Sequence, residues 1–336
     1  MPQNQKLIPL FPEMKKQEET ILKMNNLGKQ GKAFAFLIDF LAEKPQIFNL
    51  TDSSKNIWWQ IPGFSNIYKN QQNKTLQFWK TFPVSFENYK KGFDKIMWHI
   101  HNGDSYLLNY TQPTFVETNL TLEDIFHVSS APYKIYLKDK FVCFSPETFV
   151  KIENGKMYSF PMKGTIDADI ENAEQIILTD SKEIAEHNTI VDLIRNDMSL
   201  VAENVRVEKF RYLSHIQTNN KNLWQVSSKI SGDLPENYTE NIGDIIFKML
   251  PAGSISGAPK KKTIEIIRKT ENYERGYYTG IFGYFDGKNL DSCVLIRFIE
   301  NQNGKLVYKS GGGITFLSDA EKEYDEMLKK VYVPIA

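Results

Sequence analysis

Hydrophobic and polar positions change period along the chain. In FENYKKGFDKIMWHIHNGD (86–104), Tyr89, Phe93, Ile96, Met97 and Ile100 recur at spacings of three and four, and Gly103 follows. This predicts an amphipathic helix with a glycine stop. SYLLNYTQPTFVE then reads as a strand. PYKIYLKDKFVCFS and TFVKIENGKMYSF read as two paired runs, the second broken at the tight-hairpin dipeptide Asn154-Gly155. Toward the C-terminus, GIFGYF, LDSCVLIRFIE and KLVYKS are separated by Asp286-Gly287 and Asn303-Gly304, so each reads as one strand. Helical patterns come in blocks, at about 170–196, 239–250, 258–270 and 319–333. A doubly wound sheet would instead alternate each strand with a helix. Before residue 86 the patterning is weaker: FAFLIDF (34–40) and IWWQIPGF (57–64) look like strands, and Glu13 to Asn25 looks helical. The expected fold is α+β, with antiparallel β-sheets packed as a sandwich-like core and helices outside.

Composition narrows the class. The 336 residues carry 41 Lys plus Arg and 41 Asp plus Glu, so there is no basic excess of the kind a nucleic-acid binder shows. With 13% aromatic residues the chain has ample apolar surface to fold. Its two cysteines, Cys143 and Cys293, lie in strand-like runs and read as buried free thiols. MPQNQKLIPLFPEM lacks a signal-peptide apolar region. The longest apolar stretch, Ala33 to Ala42, contains Asp39 and is too short for a bilayer. The expectation is a cytoplasmic protein with neither nucleic acid nor membrane as partner.

Several positions carry candidate chemistry. Ser318 and Glu321 fit a capping box that starts the last helix near Asp319. Glu323, Glu326 and Lys330 then share a face, and two carboxylates so placed suit Mg²⁺. A solvated face with Glu326 and Lys330 paired is the other reading. Gly311-Gly312-Gly313, just before, either exposes backbone amides to an anion or is a flexible connector. In EIAEHNTIVDLIRND, Glu183, Glu186, Ile190 and Leu193 share a face. An acid among packed Ile and Leu needs a partner or a metal, making Glu186 a candidate ligand. His187 reads as a packed side chain. Arg297 interrupts CVLIRFIE, either as an anion-binding guanidinium or as an outward Arg on an edge strand. Lys163, in FPMKGTI, is followed by Gly164 and Thr165. At an ordinary pKa only about one lysine in 2,500 is neutral at pH 7, so a nucleophilic role needs burial or a nearby cation. The loop PAGSISGAPK does not meet the Walker pattern, and Lys260 to Lys262 read as solvated.

GDSYLLNYTQ, SPETF, PMKGT, AEHNTIVDLIRND, PAGSISGAPK, YTGIFGYF, DSCVLIR and GGGITFLSDAEKEYDEMLKK together resemble the chorismate-utilising enzymes, in the family's order from about residue 86 to 333. This is the family of anthranilate synthase, isochorismate synthase and aminodeoxychorismate synthase component I. The resemblance implies a chorismate-binding catalytic domain at 86–336, with 1–85 a shortened portion adding strands to the same core. Glu186, Glu323 and Glu326 would hold Mg²⁺. Arg297, Gly312, Gly313, Tyr278, Lys330 and Ser256 would bind the substrate. Glu147 of SPE would be the acid/base carboxylate, and Lys163 and Thr165 would act beside it.

Relatives that make anthranilate or isochorismate usually carry a small residue where this chain has Lys163. Lys163 therefore resembles the aminodeoxychorismate synthase branch, in which the lysine adds to the ring as the hydroxyl at ring carbon four departs, and ammonia then displaces it. A purely electrostatic lysine is the alternative. The resemblance further implies ammonia supplied by a glutamine amidotransferase subunit, since Cys143 and Cys293 lack the glutaminase Gly-rich elbow. Trp224 stands where relatives often carry a His, and Ala252 where they carry Gly. Anthranilate synthase component I, then isochorismate or salicylate synthase, are the neighbouring readings. A non-catalytic chorismate- or anion-binding protein is the reading from another class.

Overall fold

The computed structural model describes residues 12–50, 56–67, 74–217 and 222–335. It opens with α1 (Pro12–Lys29), then β1 (Phe34–Ile38), β2 (Gln46–Phe48), β3 (Ile57–Ile61), β4 (Phe64–Ser65) and β5 (Trp79–Phe82). Gly63, at φ +79°, turns IWWQIPGF into a β3–β4 hairpin rather than one strand. Helix α2 (Phe86–His101) begins at Ser85, whose hydroxyl accepts the Asn88 N–H, and buries Tyr89, Phe93, Ile96 and Ile100 as the spacing predicts. β6 (Leu107–Thr118), α3 (Leu122–Val128), β7 (Tyr133–Leu137), β8 (Phe141–Ser145), β9 (Thr148–Glu153), β10 (Lys156–Ser159) and β11 (Met162–Asp167) follow.

The helical block near 170–196 is two helices, α4 (Ala173–Thr179) and α5 (Ser181–Ser199). Asp180 between them is extended, and its carboxylate accepts the Glu183 N–H to start the second. After β12 (Glu203–Gln217) and β13 (Asn222–Asp233) come α6 (Ile242–Lys248), β14 (Gly257–Ala258), α7 (Lys260–Thr270), β15 (Ile281–Phe285), β16 (Leu290–Val294), β17 (Phe298–Gln302), β18 (Lys305–Thr315) and α8 (Ala320–Lys329).

The strands form two antiparallel sheets. One runs β11-β13-β10-β9-β16-β15-β1-β2, with β12 on β13; the other runs β14-β6-β18-β17-β8-β7-β3-β4, with β5 on β6. Between them pack Leu37, Phe282 and Cys293 from the first sheet and Trp59, Ile135, Cys143 and Phe298 from the second. Both cysteines are free and buried in this layer. Phe34, Phe36, Ile152 and Ile230 on the outer face of the first sheet join a cluster with Ile245, Ile246 and Ile266 of the helices. Ile125 and Phe126 of α3 cover Tyr136, Phe144 and Tyr308 of the second. The sandwich with outer helices is therefore present, and β1 to β5 belong to its sheets. No described helix is long and apolar enough to cross a membrane.

Two of the three glycine dipeptides make tight hairpins. Asn154 and Gly155, like Asn303 and Gly304, have φ between +51° and +87°, the left-handed pair a two-residue turn requires. Asp286-Gly287 lies instead in a longer loop, where Asp286 accepts the N–H groups of Lys288 and Asn289.

Three further expectations are corrected. LDSCVLIRFIE is not one strand: β16 belongs to the first sheet and β17 to the second, and Leu295 to Arg297 carries the chain across. The cap of α8 is Asp319, which accepts the Lys322 N–H, because the Ser318 hydroxyl is turned inward to donate to Glu323 at 2.8 Å. Lys260 is not merely solvated: its ammonium bridges Asp197 at 2.7 Å and the Met249 carbonyl at 2.9 Å.

Candidate active site

The motif residues converge where the sheets exchange strands. β8 leaves the second sheet through Ser145-Pro146-Glu147 and enters the first as β9, while β16 leaves the first through Leu295-Ile296-Arg297. The two crossings are tied together: Phe144 N–H donates to the Arg297 carbonyl at 3.0 Å, and Val294 N–H donates to the Glu147 carbonyl at 3.1 Å. Arg297 adopts φ +55° there, off the extended backbone of a strand, and its side chain lines a cavity rather than a sheet edge.

Two adjoining cavities lie beside these crossings. The larger, about 140 Å³, is lined among others by Tyr278, Arg297, Gly312 and Lys330. The smaller, about 80 Å³, is lined among others by Glu186, Ile190 and Ser256. Asn109, Glu147, Lys163, Ser254 and Gly313 line both. A larger concavity, about 940 Å³, is a groove along Phe78, Phe82 and Phe115 that holds none of the motif residues.

Lys163 owes its position to a β-bulge. The β11–β13 register shifts between Met162 and Thr165, and Gly164 supplies φ +87°. The bulge aims Lys163 into the cavities, where its ammonium meets Glu186 at 2.6 Å. A side chain at 164 would run within 2.9 Å of Glu183 Oε2, so the glycine also makes room for a second α5 carboxylate. Burial pulls the Lys163 pKa down, but Glu186 and Glu326 outweigh it and hold the ammonium above its ordinary value. Thr165, expected to act with Lys163, is exposed and lines neither cavity, because the strand resumes its alternation after the bulge.

Glu147 is half-buried beneath the crossings and accepts the Ser254 hydroxyl at 2.7 Å. Burial raises its pKa, against the opposing pull of Ser254, Arg297 and Lys330. Ser256, nearby, is fully buried and donates its hydroxyl to the Ala252 carbonyl at 2.8 Å, so it lines the smaller cavity with that donor already engaged. His187 is fully buried with Nε2 2.7 Å from Ser228 Oγ, the packed role its pattern suggested. Trp224 pairs with Ile166 and His215 and lines neither cavity.

The three glycines are not a connector; they continue β18, opposite Thr111, Tyr110 and Asn109. A Cβ at Gly312 would stand 3.4 Å from Glu323 Oε2, 3.6 Å from Glu326 Oε1 and 3.8 Å from Lys330 Nζ. Glu323 is buried and held by Ser318, while Lys330 binds Glu326 at 2.6 Å and the Gly311 carbonyl at 2.9 Å. Glu186, Glu323 and Glu326 do not close into a three-carboxylate cage: among the described residues no three His, Cys, Asp or Glu side chains are so arranged. Lys163 and Lys330 lie against the first and last of them. The donor set nevertheless fits Mg²⁺, which needs only one or two protein carboxylates beside water and substrate oxygens. The Gly312 cradle leaves space against two of these carboxylates.

Sequence reasoning missed the supports of this wall. Arg275, fully enclosed, pairs with Glu271 at 2.7 Å and donates to the carbonyls of Asn109 (2.7 Å) and Ile255 (2.9 Å). Glu271 accepts both the N–H and the hydroxyl of Thr111. The i, i+4 spacing in ENYER was the available signal, but it reads equally as a surface pair. Asn109 and Ser254 lie inside quoted motifs, yet nothing in the pattern shows that they face the cavity.

A family model described as chorismate binding enzyme matches residues 34–336. An uncharacterized PabA-like protein of Haemophilus influenzae is 51% identical over 316 residues, covering 94% of this chain and 96% of that protein. Anthranilate synthase component 1 of Acetivibrio thermocellus is 30% identical, covering 96% of this chain and 65% of its own length. Aminodeoxychorismate synthase component 1 of Bacillus subtilis is 31% identical, covering 74% and 55%. Among solved structures, a putative 2,3-dihydroxybenzoate-specific isochorismate synthase of Bacillus anthracis shares the fold at TM-score 0.70 and 20% identity, over 94% of this chain and 86% of that one. The match across both sheets and every cavity-lining segment shows that this chain belongs to the chorismate-binding enzyme family.

Proposed function

We propose that the protein aminates chorismate to 4-amino-4-deoxychorismate, as an aminodeoxychorismate synthase component I serving p-aminobenzoate and folate synthesis. Relatives named for anthranilate and for aminodeoxychorismate synthesis match at similar identity, so overall similarity does not choose between them. The observation that carries the reading is Lys163: its amine stands in the wall shared by both cavities, together with Glu147.

In this reading Arg297, Tyr278 and the β18 backbone at Gly312 and Gly313 receive the substrate's carboxylates in the larger cavity, where a planar guanidinium suits a carboxylate. Glu186, Glu323 and Glu326 would hold Mg²⁺, whose chemistry when bound is to neutralise a carboxylate and draw electrons from the ring. Glu147, whose pKa burial raises, protonates the hydroxyl that leaves ring carbon four as water. The Lys163 amine forms a carbon–nitrogen bond to the ring as that carbon–oxygen bond breaks. Ammonia then attacks carbon four, the bond to lysine breaks, and one ammonia proton returns to Glu147. The net change replaces hydroxyl by amino, with one water formed. Covalent participation requires Lys163 to surrender its proton first.

A glutamine amidotransferase subunit is the proposed ammonia source. Both cysteines of this chain are fully buried in the inter-sheet core, where burial raises the thiol pKa, so neither offers the thiolate that glutamine hydrolysis needs. Incubation with chorismate, Mg²⁺ and ammonium, followed by chromatographic product identification, tests the proposal. Aminodeoxychorismate is expected; anthranilate as the main product, or isochorismate formed without ammonia, overturns it. Lys163→Ala should keep chorismate affinity while losing most turnover, whereas a mere binding protein would show no turnover in either form.

A further inference from the structure

The ion pair between Lys163 and Glu186 places a cation of the protein's own on a carboxylate assigned above to a metal. The ammonium lies 2.6 Å from Glu186 Oε2, and the Glu186 side chain is only 5% exposed. An ammonium has three donors and no acceptor, so it occupies a carboxylate as a metal ion would and cannot itself ligate one. Glu326 also acts on the same ammonium, so Lys163 draws on carboxylates from both α5 and α8.

Its surroundings give the amine a second place to go. Glu186 lines only the smaller cavity, whereas Lys163 and Glu147 both line the two. The lysine stem is flexible, and Gly164 keeps the backbone beneath it clear of a side chain. A four-carbon stem with freely rotating bonds can redirect its amine without backbone movement.

We propose that Lys163 is an intramolecular competitor of the divalent cation for Glu186, and that cation binding turns its amine away from this carboxylate toward the Glu147 side of the site. The inference rests on the metal assignment under the proposed function. It adds a consequence: the amine is delivered toward the substrate only in the metal-loaded enzyme, and the lysine lowers metal affinity.

The test is calorimetric titration of the full chain with Mn²⁺, comparing the native protein, Lys163→Met, Glu186→Gln and the double variant. Lys163→Met should bind Mn²⁺ about tenfold more tightly or better, the scale on which one adjacent charge changes a carboxylate's affinity for a proton. In the Glu186→Gln background the same change should bring no gain. Unchanged or weaker binding by Lys163→Met overturns the proposal, as does a gain that persists without Glu186. Absence of Mn²⁺ binding in all four overturns the metal assignment with it. A readout on the native protein guards against a variant that fails to fold: pulse acetylation followed by mass spectrometry of the Lys163 peptide. Mg²⁺ should speed its modification several-fold, and an unchanged or slower rate sinks the idea. Product analysis stays separate, since competition without an amino product rejects only the amination reading, and product without competition rejects only this one.

Discussion

Glu147 and Arg297 stand on the two neighbouring segments by which the chain passes between its sheets, each segment bonded to the other's backbone. A strand that stays in one sheet must alternate its side chains between faces. At a crossing that rule lapses, and an acid and a guanidinium can both face one cavity. The Arg297 field reaches the Glu147 carboxyl and partly opposes the rise that burial imposes on its pKa. The site thus grows from the topology of the sandwich, and α5, α8 and the 252–257 loop close it from outside.

If Glu147 is the acid for the leaving hydroxyl, Glu147→Gln should lower kcat by about 10²- to 10⁴-fold, the range for a positioned proton donor. The pH profile gives a sharper test. The active form is protonated, so activity falls as pH rises through the Glu147 pKa. Ser254 donates to the charged form and lowers that pKa. Ser254→Ala should therefore move the alkaline limb of kcat/KM to higher pH. A limb that stays in place, or moves toward acid, would show that another group sets it.

Local elements were legible where periodicity and turn chemistry agree. The α2 face and the Asn154-Gly155 and Asn303-Gly304 hairpins follow directly from spacing and from residues that tolerate positive φ. What pattern could not reveal is long-range. The run CVLIRFIE is apolar on both sides of Arg297 because one half packs in each sheet, and a one-dimensional pattern cannot distinguish this from a single buried strand. Ser318 satisfied the capping-box spacing, yet its hydroxyl is drawn to Glu323, leaving Asp319 to cap. Thr165 was expected at the site with Lys163, but the bulge at Gly164 leaves it exposed.

The Glu271–Arg275 pair should be a structural anchor of the site. Both side chains are only 2% exposed. Removing one partner leaves a buried charge, which typically costs about 3–5 kcal/mol. Arg275→Met should therefore lower the urea midpoint substantially, and activity measured below that midpoint should also fall, because the Asn109 and Ile255 carbonyls lose their common donor. Adding Glu271→Gln should recover part of the stability, since the buried charge is then gone. A single variant with the native midpoint would show that the pair carries no such load.

Adjacent glycines of β18 should respond differently to alanine. At Gly311 the new methyl would lie 2.1 Å from the Tyr110 carbonyl oxygen and 2.6 Å from the Thr111 Cα. Those are backbone atoms of the paired strand, fixed by the ladder, so Gly311→Ala should disrupt the β18–β6 pairing and lower the melting temperature. At Gly312 the nearest atoms are the ends of Glu323, Glu326 and Lys330, all at ordinary contact distance. Gly312→Ala should fold with nearly native thermal stability. Its methyl fills the carboxylate cradle, so Mn²⁺ binding should weaken and turnover should drop by about 10²-fold, the usual cost of misplacing a reacting group by about an ångström. Native metal affinity in a well-folded Gly312→Ala protein would show that the cradle takes no part in holding the ion.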